Sequence, residues 1–311
     1  MAGIGNLLGG KPASETFLGL PFCADPAQPG VRAAILGVPM ATPYPSAGAY
    51  CAKAPGVIRA AAAQYADLSG HVNFDLGRVA LCDGDAADCG DLRLDAANAA
   101  GNRVAIRQAV AALLGGGAAP VVIGGDDSVP IPVLQGYEGR GPLAVLQIDA
   151  HIDWREQVGG ERWGLSSTMR RASEMGHVAQ IVQIGARGLG SAREGDVEAA
   201  RDWGAAIIPA RQLAQEGVAA ALNHIPQGAE IFIVLDCDAL DPSIMPAVIA
   251  RTAGGLDYAT ALGLIEGAAA RGRIAGMAVT EFMPDHDIHG LGATLAAQLL
   301  TAALGVIAAQ G

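Results

Sequence analysis

Three short acidic stretches carry the residue types best suited to holding divalent cations: Gly124-Gly125-Asp126-Asp127-Ser128, Asp149-Ala150-His151-Ile152-Asp153 and Asp236-Cys237-Asp238-Ala239-Leu240-Asp241-Pro242. Each follows an apolar run. Pro120 to Ile123, Leu143 to Ile148 and Ile231 to Leu235 read as buried parallel strands. The acidic residues therefore stand where strands run out into loops, the edge at which open α/β sheets bind ligands. Side chains alternate along extended backbone, so Asp149, His151 and Asp153 share one side, as do Asp236 and Asp238. Carboxylates converging in this way repel one another unless a cation compensates. Asp126, Ser128 and Asp241 are assigned structural roles as caps of the segments that follow. Cys237 alternates with two ligand positions and is expected to point into the protein behind them.

Such a site needs a sheet to hold it. Strands are expected at Arg32 to Val38, Arg78 to Cys82, Pro120 to Ile123, Leu143 to Ile148, Ile181 to Ile184, Ala206 to Ile208, Ile231 to Leu235 and Ile274 to Val279. Helical spacing of apolar residues marks Asp95 to Leu114, Ala192 to Trp203, Ala210 to Leu222, Tyr258 to Ala270 and Leu291 to Ala309. Alternation of this kind implies a mainly parallel sheet covered on both faces, with the strand order left open.

The 311 residues show no internal repeat, charge block or Ser/Gly linker, which suits one domain over residues 31–311. The Gly- and Pro-rich start, residues 1–30, is read as an N-terminal arm and lacks the features of a signal peptide. Half the chain is hydrophobic, at 51%, but the excess is Ala, and no run approaches the roughly 20 apolar residues of a membrane span. A net charge of −11 argues against nucleic acid, whose binding requires a basic surface, and mildly favours a cationic ligand. Five cysteines without metal-ligand spacing fit reduced thiols in a cytoplasm. Two glycine motifs are set aside. Gly185-Ala186-Arg187-Gly188-Leu189-Gly190 has no acidic residue closing a following strand, and Gly115-Gly116-Gly117 has no Lys-Ser/Thr partner.

The three stretches together resemble the ureohydrolase family of arginases and agmatinases. The second and third match that family's Asp-Ala-His-x-Asp and Asp-x-Asp-x-x-Asp-Pro motifs, and the first resembles Gly-Gly-Asp-His-Ser with Asp127 in place of His. The likeness continues through Gly37-Val38-Pro39, Ala54 to Arg59, Gln183 to Gly188, Gly254-Gly255-Leu256 and Thr280-Glu281-Phe282-Met283-Pro284. It implies a three-layer αβα sandwich and two divalent ions, with manganese expected and nickel the alternative. It also implies hydrolysis of a guanidino group to urea and an amine. By the resemblance, Asp149 and Asp236 would bridge both ions. His151 with Asp238 would complete one site, and Asp127 with Asp153 the other. Glu281 matches the carboxylate that binds the guanidinium, a planar cation suited to paired hydrogen bonds.

Two departures qualify the likeness. With Asp127 for His, one ion would see only Asp127, Asp149, Asp153 and Asp236, an all-oxygen set that favours a harder ion. The extra negative charge also makes a bound water less acidic. The loop from Trp154 to Ala172, where the family commonly has a His, contains none. His286 and His289, after Glu281, are alternative proton carriers at the site mouth, and Trp154 or Trp163 could cover the guanidinium face. The expectation is a cytoplasmic binuclear amidinohydrolase for a small guanidino compound: agmatine-like, a guanidino acid, guanidine or a biguanide. By the same resemblance it would be a homo-oligomer, trimer or hexamer. The alternative is a weakly active or non-catalytic partner subunit in a hetero-oligomer with a homologous chain.

Overall fold

Strand and helix alternate into one eight-stranded sheet in the computed structural model, which describes residues 16–190 and 192–310. Numbered in chain order, the strands are β1 (Ala33–Val38), β2 (Val72–Asn73), β3 (Arg78–Val79), β4 (Ala86–Asp91), β5 (Ala119–Gly124), β6 (Leu143–Ile148), β7 (Val178–Ile184), β8 (Ala206–Ile208), β9 (Glu230–Asp236) and β10 (Arg273–Thr280). The main sheet runs β4-β1-β5-β10-β9-β6-β7-β8, and each of its pairings is parallel. β2 and β3 form a separate antiparallel hairpin.

Period-two alternation divides the interior into two cores. Ile231, Ile233 and Leu235 of β9 enter one, while Phe232 and Val234 enter the other. Helices Ala54–Ala63, Tyr258–Arg271 and Leu291–Ala308 supply Ile58, Leu264 and Leu299 to the first core. Helices Ala99–Gly115, Pro130–Gln135 and Glu194–Trp203 supply Ile106, Val133 and Ala200 to the second. The result is the three-layer αβα sandwich that strands apolar on both faces demand. Helix Leu291–Ala308 is long and apolar enough to cross a membrane by composition, but 78% of it is buried against the sheet and its neighbours.

The elements depart from the sequence reading where the apolar signal is weak. The strand expected at Arg78 to Cys82 is only the short β3. The edge of the sheet is instead β4, whose Ala-Ala-Asp-Cys-Gly-Asp carries no apolar run. Its Asp88 is wholly buried, and Arg59 Nε and Nη2 hold the carboxylate at 2.7 and 2.9 Å while the Phe17 N–H donates to it at 2.7 Å. A buried ion pair has taken the place of the hydrophobic pattern. The helix expected at Ala210 to Leu222 is broken into Ala210–Glu216 and Val218–Leu222 by Gly217, whose φ of 82° lies in the left-handed region. Of the arm, residues 1–15 lie outside the described residues. Residues 16–30 include Phe17, which is fully buried, and Cys23, whose N–H bonds Asp88 O at 2.8 Å.

Candidate metal centre

The carboxyl ends of β5, β10, β9 and β6, four adjacent central strands, carry the acidic residues. β10 lies between β5 and β9, so Glu281, the residue after it, sits between Asp127 and Asp236 in the lateral order. The Glu281 N–H donates to Gly125 O at 2.9 Å, and the Asp127 N–H donates to Glu281 Oε1 at 2.8 Å. Gly125 is required by a close approach, since a Cβ there would stand 2.1 Å from Pro39 O. Asp126 accepts from the Ser128 N–H at 3.0 Å, and the Ser128 hydroxyl accepts from the Thr42 N–H at 2.8 Å. Asp241 accepts from the backbone N–H groups of Ser243, Gly254 and Gly255. These three residues hold loops, as their positions in the sequence suggest. Cys237 is buried in the core behind the ligands.

Two groups of side chains can each hold an ion, with ligand atoms within 4.8 Å of one another: Asp149, His151 and Asp238 in one, Asp127, Asp149 and Asp236 in the other. Asp149 belongs to both. Asp236 falls only in the second, and Asp153 lies outside either group of three but lines one cavity with Asp127, Asp236 and Asp238. Asp127 Oδ1 accepts from the Thr280 hydroxyl at 2.9 Å, while its Oδ2 is buried with no hydrogen-bond partner. A buried carboxylate oxygen left without a donor suits a cation, so the residues present fit the implied ions.

Electrostatics point the same way. Burial first, then neighbouring carboxylates, holds Asp127, Asp153 and Asp236 well above the ordinary carboxylate range, and Asp238 is raised as well. Asp149 is lowered: burial opposes its charge, but hydrogen bonds from His151 outweigh burial. Burial also works against a charged His151, yet Asp149 and Asp238 push it up to about 11. A cation bound among these carboxylates would relieve the same repulsion and release their protons.

The sequence reading missed the supports of these groups. Gln147 Nε2 donates to Asp149 Oδ2 at 2.6 Å and to Asp153 Oδ2 at 2.7 Å, and Gln183 Nε2 in turn donates to Gln147 Oε1 at 2.5 Å. The signal was present, since Gln147 and Gln183 are polar residues inside otherwise apolar strands. Arg187 donates to the carbonyls of Asp238 and Leu240, tying the glycine-rich loop after β7 to the third acidic stretch. Tyr50 carried no sequence signal. Its hydroxyl lies 2.8 and 2.7 Å from the two Glu281 oxygens. Burial, then the charge of Asp126, raises Glu281 to about 8 against the opposing hydrogen bonds from Tyr50 and Asp127.

Asp127, His151, Asp153, Trp154, Asp236 and Asp238 line one cavity of about 160 Å³ together with Glu281. A larger cavity of about 460 Å³, beside Tyr65 and Phe74, carries none of these carboxylates. Trp163 and His286, proposed from sequence as substrate contacts, do not line the site cavity. The Trp163 ring instead meets the Arg103 guanidinium at 5.2 Å, so that face is taken by the chain's own cation. His286 ends a short 3-10 turn, Pro284–His286, and points its exposed ring to solvent with His289. Trp154 is buried and packs on Trp203 at 6.2 Å.

The sheet and its carboxylate-lined centre define an α/β sandwich with a cluster of residues suited to cations at the carboxyl ends of its central strands. The chain belongs to the arginase family, whose model matches residues 31–305. It is 33% identical to the N(1)-aminopropylagmatine ureohydrolase of Thermus thermophilus over 60% of this chain and 61% of that protein. Thus the chain spans about three fifths of the length of that relative. It is 28% identical to the guanidinobutyrase of Pseudomonas aeruginosa over 94% of this chain and 93% of that one. Among solved structures it is similar to the proclavaminate amidino hydrolase from Streptomyces clavuligerus, with a TM-score of 0.81, 26% identity, and coverage of 95% and 97% of the two chains.

Proposed function

We propose that this chain is a two-metal amidinohydrolase that splits a C–N bond of a small guanidino compound. The observation that supports it is the assembly of two cation-binding groups, sharing Asp149, beside a buried carboxylate at Glu281. Asp149, His151 and Asp238 would hold one ion, and Asp127, Asp149 and Asp236, with Asp153 alongside, the other. Manganese is the expected metal and nickel the alternative. When bound, such ions lower the pKa of water from 15.7 to about 7 and so provide a nucleophile at neutral pH. Glu281 accepts paired hydrogen bonds from the guanidinium and fixes its plane. Tyr50 and the Asp127 N–H hold Glu281 in place for that task. Water adds to the guanidinium carbon, the C–N bond to the substituted nitrogen breaks, and that nitrogen leaves as an ammonium after gaining both protons that water loses as its oxygen becomes the carbonyl of urea. Guanidinium and water thus give urea and an alkylammonium, with charge conserved. A cytoplasmic setting and a homo-oligomeric assembly, trimer or hexamer, belong to the same reading.

Urea release by the purified chain, loaded with Mn²⁺ or Ni²⁺, tests it against agmatine, guanidino acids, guanidine and a biguanide. Metal-dependent urea from at least one, with about two ions retained per chain, is the expected result. A chain that retains no metal and releases no urea refutes the reading and favours the non-catalytic partner subunit.

A further inference from the structure

The lining of the site cavity includes a cation without an acceptor, in the segment that follows Asp153. Arg155 lines the cavity and is half-buried, and its guanidinium has no ion pair or hydrogen bond among the described residues. The reason lies in its neighbours. Arg162, Arg170 and Arg171 all converge on Glu156, at 2.7, 3.1 and 3.1 Å, and all three also stand within 4.0 Å of Glu174. Three arginines thus share Glu156 and Glu174, and the fourth arginine of this segment, Arg155, lines the cavity without joining that network.

The backbone places Arg155 close to the reacting end. Its N–H donates to Ser166 O at 3.0 Å, and Ser166 lines the cavity too. Only Trp154 separates Arg155 from Asp153, so their Cα atoms are at most about 7 Å apart. The remaining lining includes Leu165 and Ile249, apolar surface against which methylenes can lie. A molecule whose guanidinium is held by Glu281 would bring its other end, a few carbons away, within reach of the Arg155 cation. A carboxylate accepts hydrogen bonds from a guanidinium, and an ammonium does not.

Building on the amidinohydrolase reading, we propose that Arg155 recognises the carboxylate tail of an ω-guanidino acid. This makes guanidino carboxylates, rather than agmatine, the substrate class of the chain. Arg155 acts on specificity: it would set KM for the charged tail while leaving the attack on the guanidinium carbon to the groups around Asp149.

The test compares three guanidines of equal chain length on the metal-loaded full chain: 4-guanidinobutyrate, neutral 1-butylguanidine and agmatine, which is cationic. Wild type should rank them in that order by kcat/KM. Arg155→Gln should lower the guanidinobutyrate to butylguanidine ratio about 10- to 100-fold, chiefly through KM, the loss of a charged hydrogen bond. Arg155→Lys should recover part of that ratio, and Arg155→Glu should turn the preference toward agmatine. A wild-type preference for agmatine, or a ratio that Arg155→Glu leaves unmoved while urea is still released, overturns the tail assignment alone. No urea from any of the three with either metal overturns the amidinohydrolase reading, and this inference with it.

Discussion

Replacing Asp127 with Asn should stabilise the ion-free protein and destabilise the ion-loaded one, a reversal of sign that a purely structural residue would not show. Asp127, Asp149 and Asp236 present oxygens within 4.8 Å of one another. At that separation two unit charges repel by about 3.5 kcal/mol at an effective dielectric of about 20. Burial first, then repulsion from Asp149 and Glu281, raises Asp127 well above the ordinary carboxylate range, and protonation relieves both. A raised acid is fully stabilising below its unfolded pKa, and that stability is lost as pH rises through the folded value. Asn does not titrate. In excess chelator, Asp127→Asn should therefore match wild type near pH 4 and exceed it by about 1–3 kcal/mol near pH 8, or roughly 2–6 °C in Tm. With Mn²⁺ the order inverts. At a concentration 100-fold above the wild-type Kd, wild type gains about 2.7 kcal/mol, whereas a variant with about 100-fold weaker affinity gains about 0.4 kcal/mol. Thermal melting from pH 4 to 8, with chelator and with Mn²⁺, reads both effects, and elemental analysis counts the ions. If Asp127→Asn lowers Tm in chelator at every pH and the chain still retains its full complement of Mn²⁺, Asp127 is a loop support and its assignment as a ligand is wrong.

Glu281→Gln keeps the shape of the side chain and should retain both ions while kcat/KM falls about 10- to 150-fold, the worth of a charge-assisted hydrogen bond; unchanged turnover would remove Glu281 from guanidinium binding. Tyr50→Phe takes away the hydroxyl that contacts both Glu281 oxygens at 2.8 and 2.7 Å, a bond that lowers the Glu281 pKa. Its loss should raise that pKa, moving the acidic limb of the pH profile of kcat/KM to higher pH, with kcat/KM about tenfold lower. A profile that only scales down without shifting would make Tyr50 a packing residue.

Much of the site is legible in the chain because ligand spacing is local. Asp149 with His151, and Asp236 with Asp238, are neighbours along one strand exit, and the apolar runs before them mark strands that need both faces covered. The buried glutamines 147 and 183 were equally open to reading, because an amide inside an apolar strand must find a partner. β4 was not: as an edge strand it has one ladder neighbour, and its burial rests on Arg59 and Asp88, residues 29 apart in sequence.

What the sequence alone determined is which residues leave each strand together, since two-residue alternation is a property of the backbone itself. Only the tertiary structure decided which strand ends meet. The insertion of β10 between β5 and β9 brings Glu281, 154 residues away in sequence, to the Asp127 N–H. Loop packing brings Tyr50 from the loop after β1 to Glu281, sets Trp163 against Arg103 and leaves His286 exposed. Strand order and loop packing are settled by contacts between distant segments, where shape and burial over the whole sheet, rather than local spacing, carry the free energy.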